Sequence, residues 1–561
     1  MKGGDGAGTR TEESGPLAAA HPRFDADVIV IGSGFGGAVS ALRLSEKGYS
    51  VVVLEKGRRW APEDFPETNR SLRRYLWAPR LGLRGIQVLS PFRHALVLHG
   101  CGVGGGSLVY ANTLVEPEPE VFDGWDQGGA DWRSRLAPHY ATARRMLGAT
   151  PCAGVGRTDE ILRDVGREMT GRDTFRVHDV GVWFGTPGRT VPDPYFGGEG
   201  PDRTGCTRCG ACMVGCRVGA KNTLDRNYLW LAERRGARIV PETEARILRP
   251  LPGGGVEVET RRSLGLRRGR RTWRARQVVV GAGVVGTVDL LLRSRDSGGL
   301  SGLSSWVGRR VRTNSESLLA ADAPPGGESW SDHVAITSGV QLDAETHLEM
   351  VRFNDGSDAL AWLTVPLTDG GGRVPRPLRL LAAMVRHPIR ALRGLWPLGR
   401  ARRTGIVLAM QTSEGELELV RSRPWWAPWR RRLRSRLPVG EPRPVPWIPA
   451  ANEATRRLAR RMGGHAWSTW PEVLLGAPIT AHLLGGCPMG DTPDEGAVDR
   501  EGRLFGHPDI RVVDGSIVPV NLGVNPSLTI TALAEWVMAG VPRRGEGAPA
   551  GDPGVVPPGS P

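Results

Sequence analysis

His482 stands before a paired-glycine turn, HLLGG, and Asn525 stands before a proline that opens an apolar run, NPSLTITALAEWVM. A histidine can accept or position a hydroxyl proton, and a fixed amide can stabilise charge arriving on a ring. Asn and Pro side by side read as the N-cap and first residue of a helix. A helix N-terminus carries free N–H groups and partial positive charge, so it suits an anionic or electron-accepting ring. Brought to one such ring, the two residues make a site for oxidising an alcohol. Between them a short apolar strand ends in Asp514-Gly515.

The rest of the chain can be read as supplying the ring. DVIVIGSGFGGAVSALRLSEKGYSVVVLEKG reads as strand, glycine turn, helix and strand. Gly32, Gly34 and Gly37 form G-x-G-x-x-G, and Glu55 ends the second strand. This pattern gives a tight turn, close backbone approach to a pyrophosphate, close helix packing and a carboxylate for a ribose hydroxyl. A second glycine loop, HGCGVGGGSLVYANTL, contains Gly104, Gly105, Ser107 and Asn112. It reads as a further wall of the same site. A nicotinamide enzyme does not need that wall, whereas the longer FAD does, so FAD is the expected cofactor. RQVVVGAGVVGTVDLLLRSR is another strand, turn and helix, with Gly281 and Gly283 and no acid at fingerprint spacing. It reads as the edge of the sheet closing over the cofactor.

Cys206, Cys209, Cys212 and Cys216 have the spacing C-x2-C-x2-C-x3-C, that of the bacterial ferredoxin run, but Arg217 stands where that run has proline. Three readings stay open: a [4Fe–4S] cluster, a zinc site or redox disulfide, and a loop of buried free thiols. The expectation is no metal.

The 561 residues carry 74 Lys+Arg against 59 Asp+Glu, a net charge of +15. So basic a chain suits anionic surfaces or ligands, or simply has an Arg-rich solvated face. Nucleic acid is not expected as a partner. No run is long and apolar enough to span a membrane, no secretory leader is read, and seven cysteines are few, so a cytoplasmic protein is expected. Residues 373–403 are rich in Arg, Leu and Trp, and RSRPWWAPWRRRLRSR repeats that composition. Such segments suit a membrane interface, with Arg heads on anionic lipid and Leu and Trp inserted, or a lid over the substrate, or an ordinary helical insertion. HVAITSGVQL and THLEMVRF read as antiparallel strands.

The chain resembles the glucose–methanol–choline flavoprotein oxidoreductases, and within them the cholesterol oxidase-like branch with a cysteine-rich loop. The resemblance rests on the first βαβ unit, GVGGGSLVYANT, CTRCGACMVGCRVGAKNTLDRNYL, VGRRVRTNSES, and HLLGGCPMG through NLGVNPSLTITALAE. It implies an α/β fold with a discontinuous Rossmann-like FAD domain and a second domain of mixed sheet and helices over the flavin. The expected division is a disordered tail, 1–24; FAD-domain pieces 25–150, 205–315 and 478–545; substrate-domain pieces 151–204 and 316–477; and a tail, 546–561. Carried over position by position, His482 and Asn525 are the active-site pair and Asp514, with Gly515, lies at the cofactor. Glu349, in THLEMVRF, is the carboxylate for steroid isomerisation, and burial against an apolar substrate should raise its pKa. The implied activity is hydride transfer to flavin N5 from a secondary alcohol of a bulky apolar substrate, a 3β-hydroxysteroid with Δ5 to Δ4 isomerisation. The alternatives are a dehydrogenase of another terpenoid or long-chain alcohol with a non-oxygen acceptor, and a non-catalytic flavin-binding protein of the membrane surface.

Overall fold

A computed structural model describes residues 24–125, 131–265, 269–327, 329–413, 415–424, 427–444 and 446–546. The expected tails lie outside these residues except for Phe24 and Glu546, as do Trp425 and Trp426 of the second basic stretch.

The first layer is an eight-stranded sheet. Arg238–Val240, Val51–Leu54, Ala26–Ile31 and Arg270–Val280 follow one another in parallel register, and His507–Val512 joins the far side of Arg270–Val280. Every residue of Ala26–Ile31 and Val51–Leu54 is buried, and from Val28 on both are continuous apolar runs, as helices covering both faces require. Arg270–Val280 was read as the sheet edge, but it lies inside the sheet. Its C-terminal half pairs with Ala26–Ile31 and His507–Val512, and its N-terminal half forms an antiparallel meander with Val256–Arg262 and Thr243–Pro250. Eleven residues serve two sheet segments because the exposed, Arg-rich half reads as a hairpin and the VVV half as a buried strand.

The second layer is a seven-stranded antiparallel sheet in the order Thr364–Pro366, Ala466–Thr469, Ser317–Asp322, Thr404–Gln411, Thr346–Val351, Ser338–Gln341, Phe175–Val177. Alternation with period two divides its faces. Leu319, Leu348, Met350, Val407 and Ala409 pack with Leu162 and Leu458 of the helices Arg157–Thr170 and Pro449–Arg461. The intervening residues Leu318, Val351, Ile406 and Leu408 turn the other way and roof a cavity above the first sheet.

Candidate active site

Three helices begin at this cavity without a side-chain cap: Phe35–Glu46, Gly283–Asp296 and Ser527–Ala539. Their aligned dipoles favour negative charge on a ligand, although the Gly283 N–H is already taken by the Asp514 carboxylate. A Cβ at Gly34 would meet nothing within 4 Å, so the fingerprint turn faces open space. A Cβ at Gly105 would lie 2.6 Å from the Gly34 Cα, so the two glycine loops touch directly. The cavity, of about 910 Å³, is also lined by Gly32, Glu55, Asp514 and Gly515. These features fit a long anionic dinucleotide such as FAD.

Not every sequence-predicted residue stands on the wall. Gly37 packs the first helix against the turn, where a Cβ would sit 2.0 Å from the Gly32 oxygen. Ser107 is a pin behind the second loop: its hydroxyl donates to the Gly104 oxygen at 2.7 Å and accepts from the Leu224 N–H at 2.9 Å. Gly104 and Asn112 take left-handed backbone conformations, with φ of 106° and 71°. These four shape the loops, and none lines the cavity. The carboxylate of Glu55 accepts from the Ser33 N–H at 3.1 Å and the Gly57 N–H at 2.7 Å. Asp514 ties the third and second pieces of the layer together, accepting from the N–H groups of Gly283 at 2.9 Å and Ser516 at 2.8 Å. Burial pushes its pKa up.

His482 follows the short strand Ile479–Thr480, which runs parallel to Leu96–Gly100, and precedes a bridge between Leu484 and Arg312. Its Nδ1 is hydrogen-bonded to Glu316 Oε1, and Glu316 Oε2 accepts from the Ala481 N–H at 2.9 Å. Glu316 is 1% exposed. Burial pulls the His482 pKa down, but the charge and hydrogen bond of Glu316, helped by the charge of Glu349, outweigh it and the pKa is raised. With Nδ1 committed, Nε2 has no protein partner among the described residues.

Asn525 is not the N-cap of the last helix. Pro526 occupies that position with φ −82° and ψ −5°, and the Asn525 side chain turns away to donate from Nδ2 to Glu349 Oε2 at 3.2 Å. Its Oδ1 has no partner among the described residues although Asn525 is only 6% exposed. A buried orphan acceptor on a cavity wall marks a place for a ligand donor. Glu349 lies just behind, fully buried, with His178 Nδ1 at 3.3 Å and His347 Nε2 at 3.5 Å. Burial alone would raise its pKa, as the sequence led us to expect. The flanking imidazoles of His347 and His178 and the Asn525 amide prevail, and the pKa falls below its ordinary 4.5. His178 itself is pushed down to about 4 by burial.

The segment Arg312–Glu316, read only as part of a family-like stretch, positions both halves of the site. Arg312 bridges to Leu484, and Asn314 accepts at Oδ1 from the N–H groups of Leu522 and Gly523, both at 3.0 Å, and donates to the Val524 oxygen at 3.1 Å. Asn314 and Ser315 have φ of 57° and 43°, a conformation uncommon for non-glycine residues. The legible signal was an Asn-Ser-Glu cluster immediately before an apolar strand.

The family models agree with this anatomy. An FAD binding domain matches residues 27–61, and GMC oxidoreductase models match 200–310 and 452–534. The chain is 47% identical over 540 residues to a cholesterol oxidase of Mycobacterium tuberculosis, covering 93% of this chain and 92% of that protein. It is 43% identical over 535 residues to a cholesterol oxidase of Acinetobacter baumannii, covering 93% and 95%. Pyridoxine 4-oxidase from Mesorbium loti shares the fold, with a TM-score of 0.58 at 17% identity over 91% of this chain and 98% of that one. The chain therefore belongs to the GMC oxidoreductase family and is an FAD-dependent alcohol oxidoreductase.

Proposed function

We propose that the enzyme oxidises the hydroxyl of a 3β-hydroxysteroid such as cholesterol and then moves the Δ5 double bond into conjugation with the new ketone. One observation carries this reading: His482, Glu316 and Asn525 line one cavity, with Glu349 held directly behind Asn525, and its roof is the apolar set Leu318, Ile336, Val351, Ile406 and Leu408. The names of the two bacterial relatives support the same substrate class.

Bound FAD supplies the acceptor for the carbinol hydrogen and its two electrons. Glu316 holds the Nδ1–H of His482, so Nε2 presents its lone pair to the substrate hydroxyl and takes the proton. The Glu316 carboxylate stabilises the imidazolium that results. The apolar roof excludes water and packs the steroid rings. Asn525 keeps Glu349 in place through Nδ2 and offers Oδ1 to a donor in the cavity. Glu349, ionised because its pKa is lowered, takes the proton from the carbon between ketone and double bond and returns it to the far end of the double bond.

The basic insertion forms two helices, Arg376–Arg386 and Pro388–Leu395. Leu378, Leu381, Val385, Ile389 and Leu392 are 56–74% exposed on them. The second helix packs on Asp358–Leu363, which carries Trp362, 55% exposed and on the cavity wall. This apolar face supports delivery of substrate from a lipid surface. Arg376 and Arg379 donate to backbone carbonyls of Pro446, Thr368 and Gly370, which fixes these two heads while leaving their charge. No helix among the described residues is long and apolar enough to cross a membrane. Replacing Leu381, Ile389 and Leu392 by serine is expected to lower liposome co-sedimentation severalfold, and raised salt to weaken the native protein.

Anaerobic bleaching of the flavin tests the main reading. Cholesterol is expected to bleach it, and its 3α-epimer and a long-chain alcohol to do so at least about tenfold more slowly. Equal bleaching by all three would contradict the sterol assignment, and oxygen uptake by the reduced enzyme separates an oxidase from a dehydrogenase.

A further inference from the structure

Cys206, Cys209, Cys212 and Cys216 line a single small pocket of about 20 Å³, beside the large cavity but separate from it. The remaining wall is largely apolar, from Val182, Val218, Ala220 and Val334. In two-cluster ferredoxins the fourth cysteine of this spacing serves the other cluster. Here it faces the same space as the first three, so four thiols are available to one centre. The loop is wound for this arrangement: Arg208, Gly210 and Gly215 have φ of 56°, 72° and 94°, and the Arg208 N–H donates to the Cys206 sulfur at 3.4 Å. No disulfide joins the cysteines.

Spacing separates the candidate occupants. A tetrahedral zinc–thiolate site holds its sulfurs about 3.8 Å apart, given a Zn–S bond of about 2.3 Å. Among the described residues, the only ligand atoms of three or more His, Cys, Asp or Glu within 4.8 Å of one another belong to His178, His347 and Glu349. No three cysteine sulfurs meet at that spacing. A [4Fe–4S] core holds its four thiolates farther apart than a single ion does, so this wider spacing suits the cluster better than zinc. Lys221, 1% exposed, also lines the pocket. Its ammonium donates to the carbonyls of Leu108, Tyr110 and Cys212; the buried Asp225 acts on it through space but forms no ion pair with it among the described residues. A buried cation without a carboxylate partner is costly unless a negative centre lies beside it.

We propose that these four cysteines hold one [4Fe–4S] cluster, reversing the metal-free expectation from the sequence. Each thiol loses its proton as its sulfur binds iron. Four thiolates around a doubly positive core make a doubly negative centre, and Lys221 supplies a positive charge against it. The centre adjoins the cofactor site: Cys212 lines this pocket, and the next residue, Met213, lines the large cavity.

The test is metal and sulfide analysis of the FAD-loaded protein, purified without oxygen and, in parallel, reconstituted anaerobically with equal ferrous and ferric iron and sulfide. About four irons and four acid-labile sulfides per chain are expected, with a paramagnetic resonance signal after dithionite reduction. Cys209 is the exposed member of the set, so Cys209→Ala should leave FAD content near that of the native protein while halving the iron or worse. One zinc per chain, iron absent even after reconstitution, or full iron in both Cys209→Ala and Cys212→Ala would overturn the assignment.

Discussion

Two carboxylates hang from the second sheet toward the first, Glu316 at the start of Ser317–Asp322 and Glu349 inside Thr346–Val351. Both are 1% exposed or less, yet they act oppositely. Glu316 is paired with a histidine on the cavity wall and raises that histidine's pKa. Glu349 is surrounded by two imidazoles and an amide, which lower its own. Burial is the same in both places, so the partners decide which group carries the proton. The first arrangement gives a base that is oriented and stabilised as it charges. The second gives a carboxylate kept ionised inside an apolar layer. One cavity can thereby run an oxidation and a proton shift with separate groups.

The comparison breaks most visibly at the histidine. His482→Ala is expected to slow flavin reduction by substrate by about two to four decades in stopped-flow bleaching, since acid–base help of that size is lost. Glu316→Gln should cost about one to two decades. It also sharpens the pH argument. In the proposed mechanism the neutral imidazole is the competent form, so kcat/KM of the native enzyme should rise with pH through an inflection above the ordinary histidine value of 6.5. In Glu316→Gln burial is opposed only by the charge of Glu349, the smaller of the two effects, and the inflection should move to lower pH. An unmoved inflection would assign it to another group.

A third buried carboxylate provides the control. Glu472 accepts from the Leu318 N–H at 2.8 Å but has no imidazole beside it; burial outweighs the charge of Arg376, and its pKa is pushed up to about 8. A folded-state pKa above the ordinary 4.5 favours the protonated form, so this group's contribution to stability is full below pH 4.5 and is lost as pH rises toward 8. Glu472→Gln should flatten that fall, and urea midpoints at pH 5 and pH 9 would show the native midpoint dropping more than the variant's.

The parts of the molecule legible in the sequence are those where backbone packs on backbone. Gly32 and Gly105 were readable because close approach forbids a side chain there: a Cβ would sit 2.4 Å from the Gly281 oxygen and 2.6 Å from the Gly34 Cα. The α/β fold followed from the βαβ unit and the alternating strands, as the FAD binding match and the GMC relatives show. The second sheet hid its site residues because one polar residue in an apolar strand looks the same whether it faces solvent or a partner. Glu349 was singled out only through a resemblance, and Glu316, His178 and His347 were not. Their roles come from neighbours far along the chain: Glu316 meets His482 and Glu349 meets Asn525. The Asn525 N-cap reading failed for the same reason, since local propensity favoured the cap and a distant carboxylate took the side chain. Ser107 and Asn112 were taken for cofactor contacts because a glycine-rich loop does not reveal which residues face outward.

The division of labour between the two pairs is tested most directly in one variant, Glu349→Gln, given a Δ5-3β-hydroxysteroid. Flavin bleaching and the ultraviolet absorbance of the conjugated enone would be followed in the same sample. The account predicts bleaching within about threefold of the native rate, because His482 and Glu316 are untouched, while the unconjugated Δ5-ketone accumulates and enone formation falls by about two decades or more. Enone formation at the native rate would contradict the assignment of the proton shift to Glu349.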